Sequence, residues 1–274
     1  MPFRLTPLSA ASDPERFGGK AAHLAAALDA GLPVPDGWAL DWQEVEALVT
    51  QDTSTGAVAV AVRAAVSGCG PVAVRSSAVG EDSTDASFAG THLTVLGLVG
   101  GDGVVEAVRR VHGSAVDPAA LAYRERLSVA GEVRMGVVIQ EMVDADVAGV
   151  LFTRNPLTGV AELVIEASWG LGETVVSGLV TPDHVRADLG GRVLERIVGD
   201  KDVAIRLNDD GTSEETAVPP ERVSMPCLGD DEVLALSRLV RACDRAYAET
   251  AHDMEFAFAG ETLYLLQRRP ITHA

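Results

Sequence analysis

V-A-V-R-S-S-A-V-G-E-D-S-T-D-A-S-F-A-G-T-H-L-T-V-L, running from Val72 to Leu96, changes character partway along. A short β-branched run ends in Arg75, and the apolar pattern then stops. From Ser76 to Gly90 the residues are small, hydroxylated, acidic or glycine, which predicts a long loop following a strand. Loops of this length inside a compact domain are commonly binding loops, because small side chains let backbone amides approach a ligand. A cation at the root and a lining of Ser, Thr and Gly suit a polyphosphate, whose hydration shell is replaced by fixed charge and many donors. A solvated surface loop has the same composition.

Upstream, Gly18-Gly19-Lys20 is followed by A-A-H-L-A-A-A-L-D-A and then by G-L-P-V-P, residues 31–35. Alanine and leucine at helical spacing, a glycine past the end and prolines beyond it predict a helix starting at the glycine pair. Its first amides lack partners and favour anions, and Lys20 adds a full charge there. A surface lysine is the alternative. His23, one turn on, reads as a packed or exposed helix histidine.

The 274 residues are 47% hydrophobic but only 4% aromatic, with a formal net charge of −18. This describes a globular chain with a sizeable core in one large domain or two lobes. The charge argues against sequence-independent nucleic-acid binding and against anionic membrane surfaces, both of which need a positive excess. No apolar stretch is long enough to span a bilayer, and Met1 to Lys20 has no signal-peptide core, so a cytoplasmic location is expected. Cys69, Cys227 and Cys243 are odd in number and far apart, and they read as reduced packing residues.

Residues 42–70 read as helices and a connection, and Gly103 to His112 as an amphipathic helix closed by Gly113. Asp117-Pro118 then caps a further helix that Gly131 stops. Strands are predicted at 135–143, 147–153 and 161–167, with tight turns at Ser168-Trp169-Gly170 and Gly178 to Asp183. Neither turn is a dinucleotide-binding fingerprint. A hairpin around Gly190-Gly191 precedes a long amphipathic helix capped by Asp230 and reaching about Thr250. Helices in the first half and strands in the second suggest two lobes, residues 1–139 and 140–274, with Gln140-Glu141-Met142-Val143 as hinge.

The chain closes with D-M-E-F-A-F-A-G-E-T-L-Y-L-L-Q-R-R-P-I-T, residues 253–272, a hairpin signal around Gly260. Gln267 and Arg269 are two apart on a strand and share a face. A loop formed by Gly260, Glu261 and Thr262 pairs Glu255 with Gln267, gathering a carboxylate, an amide oxygen and a guanidinium on one patch. That set suits Mg²⁺ bridging phosphates, with arginine on a further oxygen. An exposed ion pair on a sheet surface is the other reading, and a one-residue slip scatters the three groups.

Taken in order, G-G-K-A-A-H-L (18–24), G-L-P-V-P-D-G (31–37), V-R-S-S-A-V-G-E-D (74–82), D-A-S-F-A-G (85–90), L-F-T-R-N-P-L-T-G (151–159), G-L-G-E-T-V-V-S-G-L-V-T-P-D (170–183) and Y-L-L-Q-R-R-P-I-T (264–272) resemble the N-terminal nucleotide-binding domain of the phosphoenolpyruvate synthase and pyruvate phosphate dikinase family, which includes rifampicin phosphotransferases. The resemblance implies an ATP-grasp fold of α/β (α+β) class, in which two lobes clamp ATP and magnesium. By position, Lys20 and Arg75 resemble the phosphate-binding cations, and Gly90 and Thr94 part of the loop over ATP. Gln140, Glu141, Met142 and Val143 resemble the adenine-side segment. Glu255 and Gln267 resemble the magnesium ligands, and Arg269 the terminal phosphate contact. Catalysis in such a domain rests on positioning and charge neutralisation, without a protein nucleophile of its own.

Two departures bear on function. The connection at 42–70 is shorter than usual in the family, which implies a trimmed helical part of the first lobe. Family members continue into a swivelling domain whose histidine carries phosphate, whereas this sequence ends at Ala274. The expected function is therefore an ATP-dependent phosphotransferase subunit that passes phosphate to a histidine on a separate protein. Direct phosphorylation of a small molecule, such as an antibiotic or specialised metabolite, and a non-catalytic ATP-binding module are the alternatives.

Overall fold

The computed structural model describes residues 4–51, 56–80, 93–115, 117, 133–208 and 210–271. Its contacts divide the chain into two units, Met1–Ala26 with Asp36–Met142 and Asp209–Thr212, and Ala27–Pro35 with Val143–Asn208 and Ser213–Ala274.

In the first unit the strands are β1 (Thr6–Pro7), β2 (Gly37–Leu40), β3 (Val72–Ala78), β4 (Thr94–Leu98) and β5 (Met135–Glu141). They form an antiparallel five-stranded sheet in the order β1-β2-β5-β3-β4. The helices are α1 (Pro14–Phe17), α2 (Gly19–Asp29, which begins here), α3 (Trp42–Thr50), α4 (Ala57–Ala65) and α5 (Gly101–Ala115). One sheet face carries Val72, Val74, Val137 and Ile139 into a core with Val45, Leu48, Val58, Val62, Val104, Val108 and Val111 of α3 to α5. Asp41 caps α3 by accepting from the Glu44 amide at 2.9 Å, while the Glu44 carboxylate accepts from the Asp41 amide at 2.8 Å. At the other end of α3, Arg109 donates to the carbonyls of Leu48, Val49 and Gln51 at 3.3, 3.0 and 3.3 Å, supplying partners for groups that the helix leaves unpaired.

The second unit holds β6 (Val147–Phe152), β7 (Leu163–Trp169), β8 (Asp183–Ala187), β9 (Val193–Ile197), β10 (Val203–Leu207), β11 (Ser213–Ala217), β12 (His252–Ala259) and β13 (Thr262–Pro270). Six of these form an antiparallel sheet in the order β13-β12-β6-β7-β8-β9, and β10 and β11 make a separate ribbon. Its helices are the single turns α6 (Glu173–Val176) and α7 (Pro220–Val223) and the long α8 (Asp230–Tyr247). The buried stripe of α8 is Val233, Leu236, Leu239, Val240 and Cys243. Its Ser237 hydroxyl donates to the Leu189 carbonyl at 2.8 Å, tying the helix to the β8–β9 turn.

A buried ion pair fixes the start of β8. Lys201 Nζ lies 2.5 Å from Asp183 Oδ1, with the two side chains 0% and 1% exposed. Asp183 also accepts from the amides of Gly199 at 2.8 Å and Cys227 at 2.7 Å, and Lys201 donates to the carbonyls of Gly199 and Val223 at 3.3 and 3.1 Å. Both Asp183 oxygens and all three Lys201 protons have partners in this knot.

The fold class is α/β, as the sequence predicts, but strands occupy both halves of the chain. The first-half sheet is obscured in sequence because β1 and β2 are short and β4 follows the polar stretch. Strand β3 runs on through Ser76, Ser77 and Ala78, which pair with Val137, Gly136 and Met135, so the expected loop does not begin at Ser76. Both serines are buried, at 1% and 0% exposure, and the Ser77 hydroxyl accepts from the Ala21 amide. Helix α5 continues through Gly113 to Ala115. The expected helix from Asp117-Pro118 to Gly131 lies outside the described residues, apart from Asp117 itself. Helix α8 is capped by Gly229, whose amide donates to Glu232 at 2.9 Å, so Asp230 falls in its first turn, and it ends at Tyr247. Among the described residues no helix is long and apolar enough to cross a membrane.

Candidate functional site

The first unit gathers its polar groups on the sheet face opposite the valine core. Residues alternate along β3, so Ala73, Arg75 and Ser77 share this face, and their register partners Gln140, Val138 and Gly136 share it too. Thr94 on β4 is opposite Arg75. The Arg75 guanidinium donates to Gln140 Oε1 at 3.1 Å and is 9% exposed, so its direction is set by a buried amide. The N-terminus of α2 is pinned to the same strand. The Ala21 amide donates to Ser77 Oγ at 3.0 Å, and Lys20 Nζ donates to the Ser76 carbonyl at 2.6 Å. That approach requires the first glycine of the pair. Gly18 has φ +83°, and a Cβ there would sit 1.9 Å from the Ser77 carbonyl oxygen.

Lys20, Arg75, Thr94 and Gln140 are thus brought to one face, with two cations adjoining a helix N-terminus. Charge of this sign and a set of amide and hydroxyl donors suit a polyphosphate. Gln140 and Glu141 close β5 rather than forming a connector. The Glu141 amide donates to the Asp36 carbonyl at 2.8 Å, the Met142 amide to Pro71 at 2.9 Å, and the Gly97 amide to Met142 Sδ at 2.9 Å. Val143 is half-buried at the start of the second unit. Gly90 lies outside the described residues.

In the second unit Glu255 of β12 is directly opposite Gln267 of β13, and Asp253 is opposite Arg269. All four occupy one sheet face. The expected pairing is present, but the expected loop is not. Ala259 pairs with Thr262 across a two-residue turn, Gly260-Glu261, and carried on unbroken that register would set Glu255 against Leu266. A bulge between Glu255 and Phe256 absorbs one residue of β13 and restores the Glu255–Gln267 pair. Asp253 has the same period along β12 as Glu255, a signal readable in D-M-E, but it gains meaning only when the register sets it against Arg269.

A half-buried carboxylate opposite a buried amide, with a second carboxylate one pair along, is a hard oxygen set of the kind Mg²⁺ takes. The donors fit that ion. Among the described residues no group of three or more His, Cys, Asp or Glu side chains clusters as a metal site, so any metal here relies on Gln267 and on ligand oxygens.

The opposite face beneath this hairpin is also polar. Arg268, 2% exposed, donates from Nε to His252 Nδ1 at 2.9 Å, pairs with Glu249 and stacks over the Tyr247 ring at 4.3 Å. His252 Nε2 lies 3.0 Å from Asp244 Oδ1. Burial, with the Arg268 charge beside it, lowers the His252 pKa below 6.5. The imidazole is neutral, accepting at Nδ1 and donating at Nε2. Two other described histidines sit beside carboxylates, His112 at 3.1 Å from Glu46 and His184 at 3.7 Å from Glu166.

Residues 57–274 match the family model described as "Pyruvate phosphate dikinase, AMP/ATP-binding domain". A probable phosphoenolpyruvate synthase of Methanothermobacter thermautotrophicus is 44% identical over 203 residues, 73% of this chain and 29% of that protein. The prodigiosin synthesizing transferase PigC of Serratia marcescens is 34% identical over 286 aligned positions, covering 95% of this chain and 32% of PigC. The chain therefore spans about a third of the length of these relatives. A D-alanine–D-alanine ligase of Bacillus anthracis superposes with a TM-score of 0.38 at 10% identity, covering 97% of this chain and 60% of the ligase, a likeness too weak to weigh in the fold. The family match covers most of the chain and includes Arg75 on β3 and the whole of the β12–β13 hairpin: this chain belongs to the pyruvate phosphate dikinase AMP/ATP-binding domain family.

Proposed function

We propose that this chain is the ATP-grasp domain of a dikinase-type phosphotransferase, cleaving Mg·ATP and passing phosphate to a histidine on a separate protein. The observation that carries the reading is the Glu255–Gln267 pair with Arg269 beside it, formed in spite of a turn that would have separated them. In this reading Glu255 and Gln267 would hold Mg²⁺, which when bound would neutralise phosphate charge. Lys20, Arg75 and Arg269 bind and orient the phosphates, so that catalysis is positioning plus charge neutralisation. Gly90 and Thr94 cover the nucleotide, and Gln140 to Val143 supply its adenine-side contacts. The described histidines with resolved partners serve the fold, His252 with both ring nitrogens engaged in the core, which favours an acceptor carried elsewhere.

The test is radiolabelled ATP with the purified chain, alone and mixed with a histidine-bearing candidate partner. Label on a partner histidine, lost on Arg75→Ala or Arg269→Ala, supports the proposal. Rapid stoichiometric labelling of a small molecule by the chain alone overturns the histidine route. One observation favours that second reading, direct action on a specialised metabolite: the alignment with PigC covers 95% of the chain.

A further inference from the structure

We propose that Arg268 is a positioning residue that sets the register of the metal-binding hairpin, acting from the opposite side of the sheet. The inference rests on reading Glu255 and Gln267 as metal ligands. The L-Q-R-R run of β13 can be laid down in two ways. With the tight Gly260-Glu261 turn carried on unbroken, Leu266 and Arg268 face the nucleotide side, and Gln267 and Arg269 point into the core. With the observed bulge, Gln267 and Arg269 face Glu255 and Asp253, and Arg268 goes to the buried side. A one-residue shift exchanges the faces of every side chain beyond it.

The turn favours the first arrangement, so something must hold the second. The buried face offers Arg268 three specific partners: the Nδ1 lone pair of a neutral His252, the Glu249 carboxylate, and the face of Tyr247. His252 is itself anchored, since Asp244 holds its Nε2 and its amide donates to Thr153 Oγ1 at 2.8 Å. Arg269 in that position would start one residue out of step with these groups. Two adjacent arginines are thus assigned to opposite faces, and the one that never meets the nucleotide decides where the other points.

The experiment reads register directly and uses the full chain with Cys69→Ser as background. Directly opposed strand residues lie within disulfide reach, whereas a neighbour pointing to the other face does not. With Arg268 present, Glu255→Cys with Gln267→Cys should crosslink on mild oxidation, and Glu255→Cys with Leu266→Cys should not. Adding Arg268→Met should shift crosslinking toward the Leu266→Cys pair. In the chain without added cysteines, Arg268→Met should lower Mn²⁺ affinity of the nucleotide complex by about tenfold or more, read by electron paramagnetic resonance, and leave metal-free ATP affinity within about twofold. Arg268→Lys carries the same comparison if the methionine variant does not fold, because lysine lacks the planar fork that reaches His252 from Nε and Glu249 from Nη2 while stacking on Tyr247. An unchanged crosslinking pattern with unchanged Mn²⁺ affinity overturns the proposal. A parent chain that takes up no Mn²⁺ with nucleotide refutes the metal reading instead, and the crosslinks still decide the role of Arg268.

Discussion

Breaking the buried Lys201–Asp183 pair from either side should destabilise the second unit by unequal amounts. Removing one partner of a buried ion pair typically costs about 3–5 kcal/mol, because the other charge is left without compensation. Lys201→Met leaves a carboxylate that still accepts from the Gly199 and Cys227 amides at 2.8 and 2.7 Å, so its cost belongs near the lower figure. Asp183→Asn leaves a fully buried ammonium with only the Gly199 and Val223 carbonyls at 3.3 and 3.1 Å, and it puts an amide where the carboxylate served three donors. That cost belongs near the upper figure, about 2 kcal/mol above the lysine variant. Urea denaturation followed by circular dichroism, with fluorescence as a second probe, measures both. Replacing both residues by Met and Leu should cost less than Asp183→Asn alone. Equal losses below about 1 kcal/mol for the two single variants would refute the reasoning, since only exposed pairs are worth so little.

Glu255→Ala should weaken Mg·ATP binding by about tenfold or more while leaving metal-free ATP binding nearly unchanged; calorimetry giving parental Mg·ATP affinity would remove Glu255 from the metal site. Gly18→Ala should cost about 2–4 kcal/mol and lower ATP affinity in the folded fraction, because a Cβ meets the Ser77 carbonyl and displaces Lys20; a stable variant with full affinity would show that the close approach is dispensable. Because the His252 pKa is lowered by burial, the unfolded chain takes up the proton first, so this group's contribution to stability holds above pH 6.5 and is lost as pH falls below it. Denaturation curves between pH 7 and 5 should show that loss, and His252→Asn should show a flatter profile over the same range. Cys243, its pKa pushed up to about 12 by burial, should resist thiol reagents at pH 8 until the chain unfolds.

The α/β class and most residues of both polar faces were legible in the sequence, Lys20, Arg75, Glu255, Gln267 and Arg269 for local reasons and Thr94 and Gln140 through the family resemblance. Gly18-Gly19-Lys20 announced a helix start, and the two-residue spacing of Gln267 and Arg269 placed them on one side. What escaped was whatever depends on long-range pairing. Ser76 and Ser77 look like loop residues until α2 supplies partners for them. Asp253 is an ordinary surface aspartate until Arg269 is set opposite it. The Glu255–Gln267 pairing was anticipated from a loop one residue too long, and the bulge offset that error; neither the turn nor the bulge is written in local composition, since Arg268 selects between two frames through Tyr247, Glu249 and His252. Gly113 inside α5 shows the same limit, because packing outweighs a single glycine's propensity, and Gly229 caps α8 with its amide donating to Glu232.

The two-faced β13 strand gives the chain uneven tolerance to different kinds of genetic change. A missense change at Leu266 alters one half-buried side chain in the bulge. Losing the codon removes the spare residue, and the turn's own register then sets Gln267 against Glu255 and Arg269 against Asp253, whereas one residue added beside Leu266 with the bulge kept would turn Gln267 and Arg269 inward and Arg268 outward. Natural variation in this segment should therefore include replacement or loss of Leu266, while added residues are confined to the Gly260-Glu261 tip, where they can be absorbed before the strand begins.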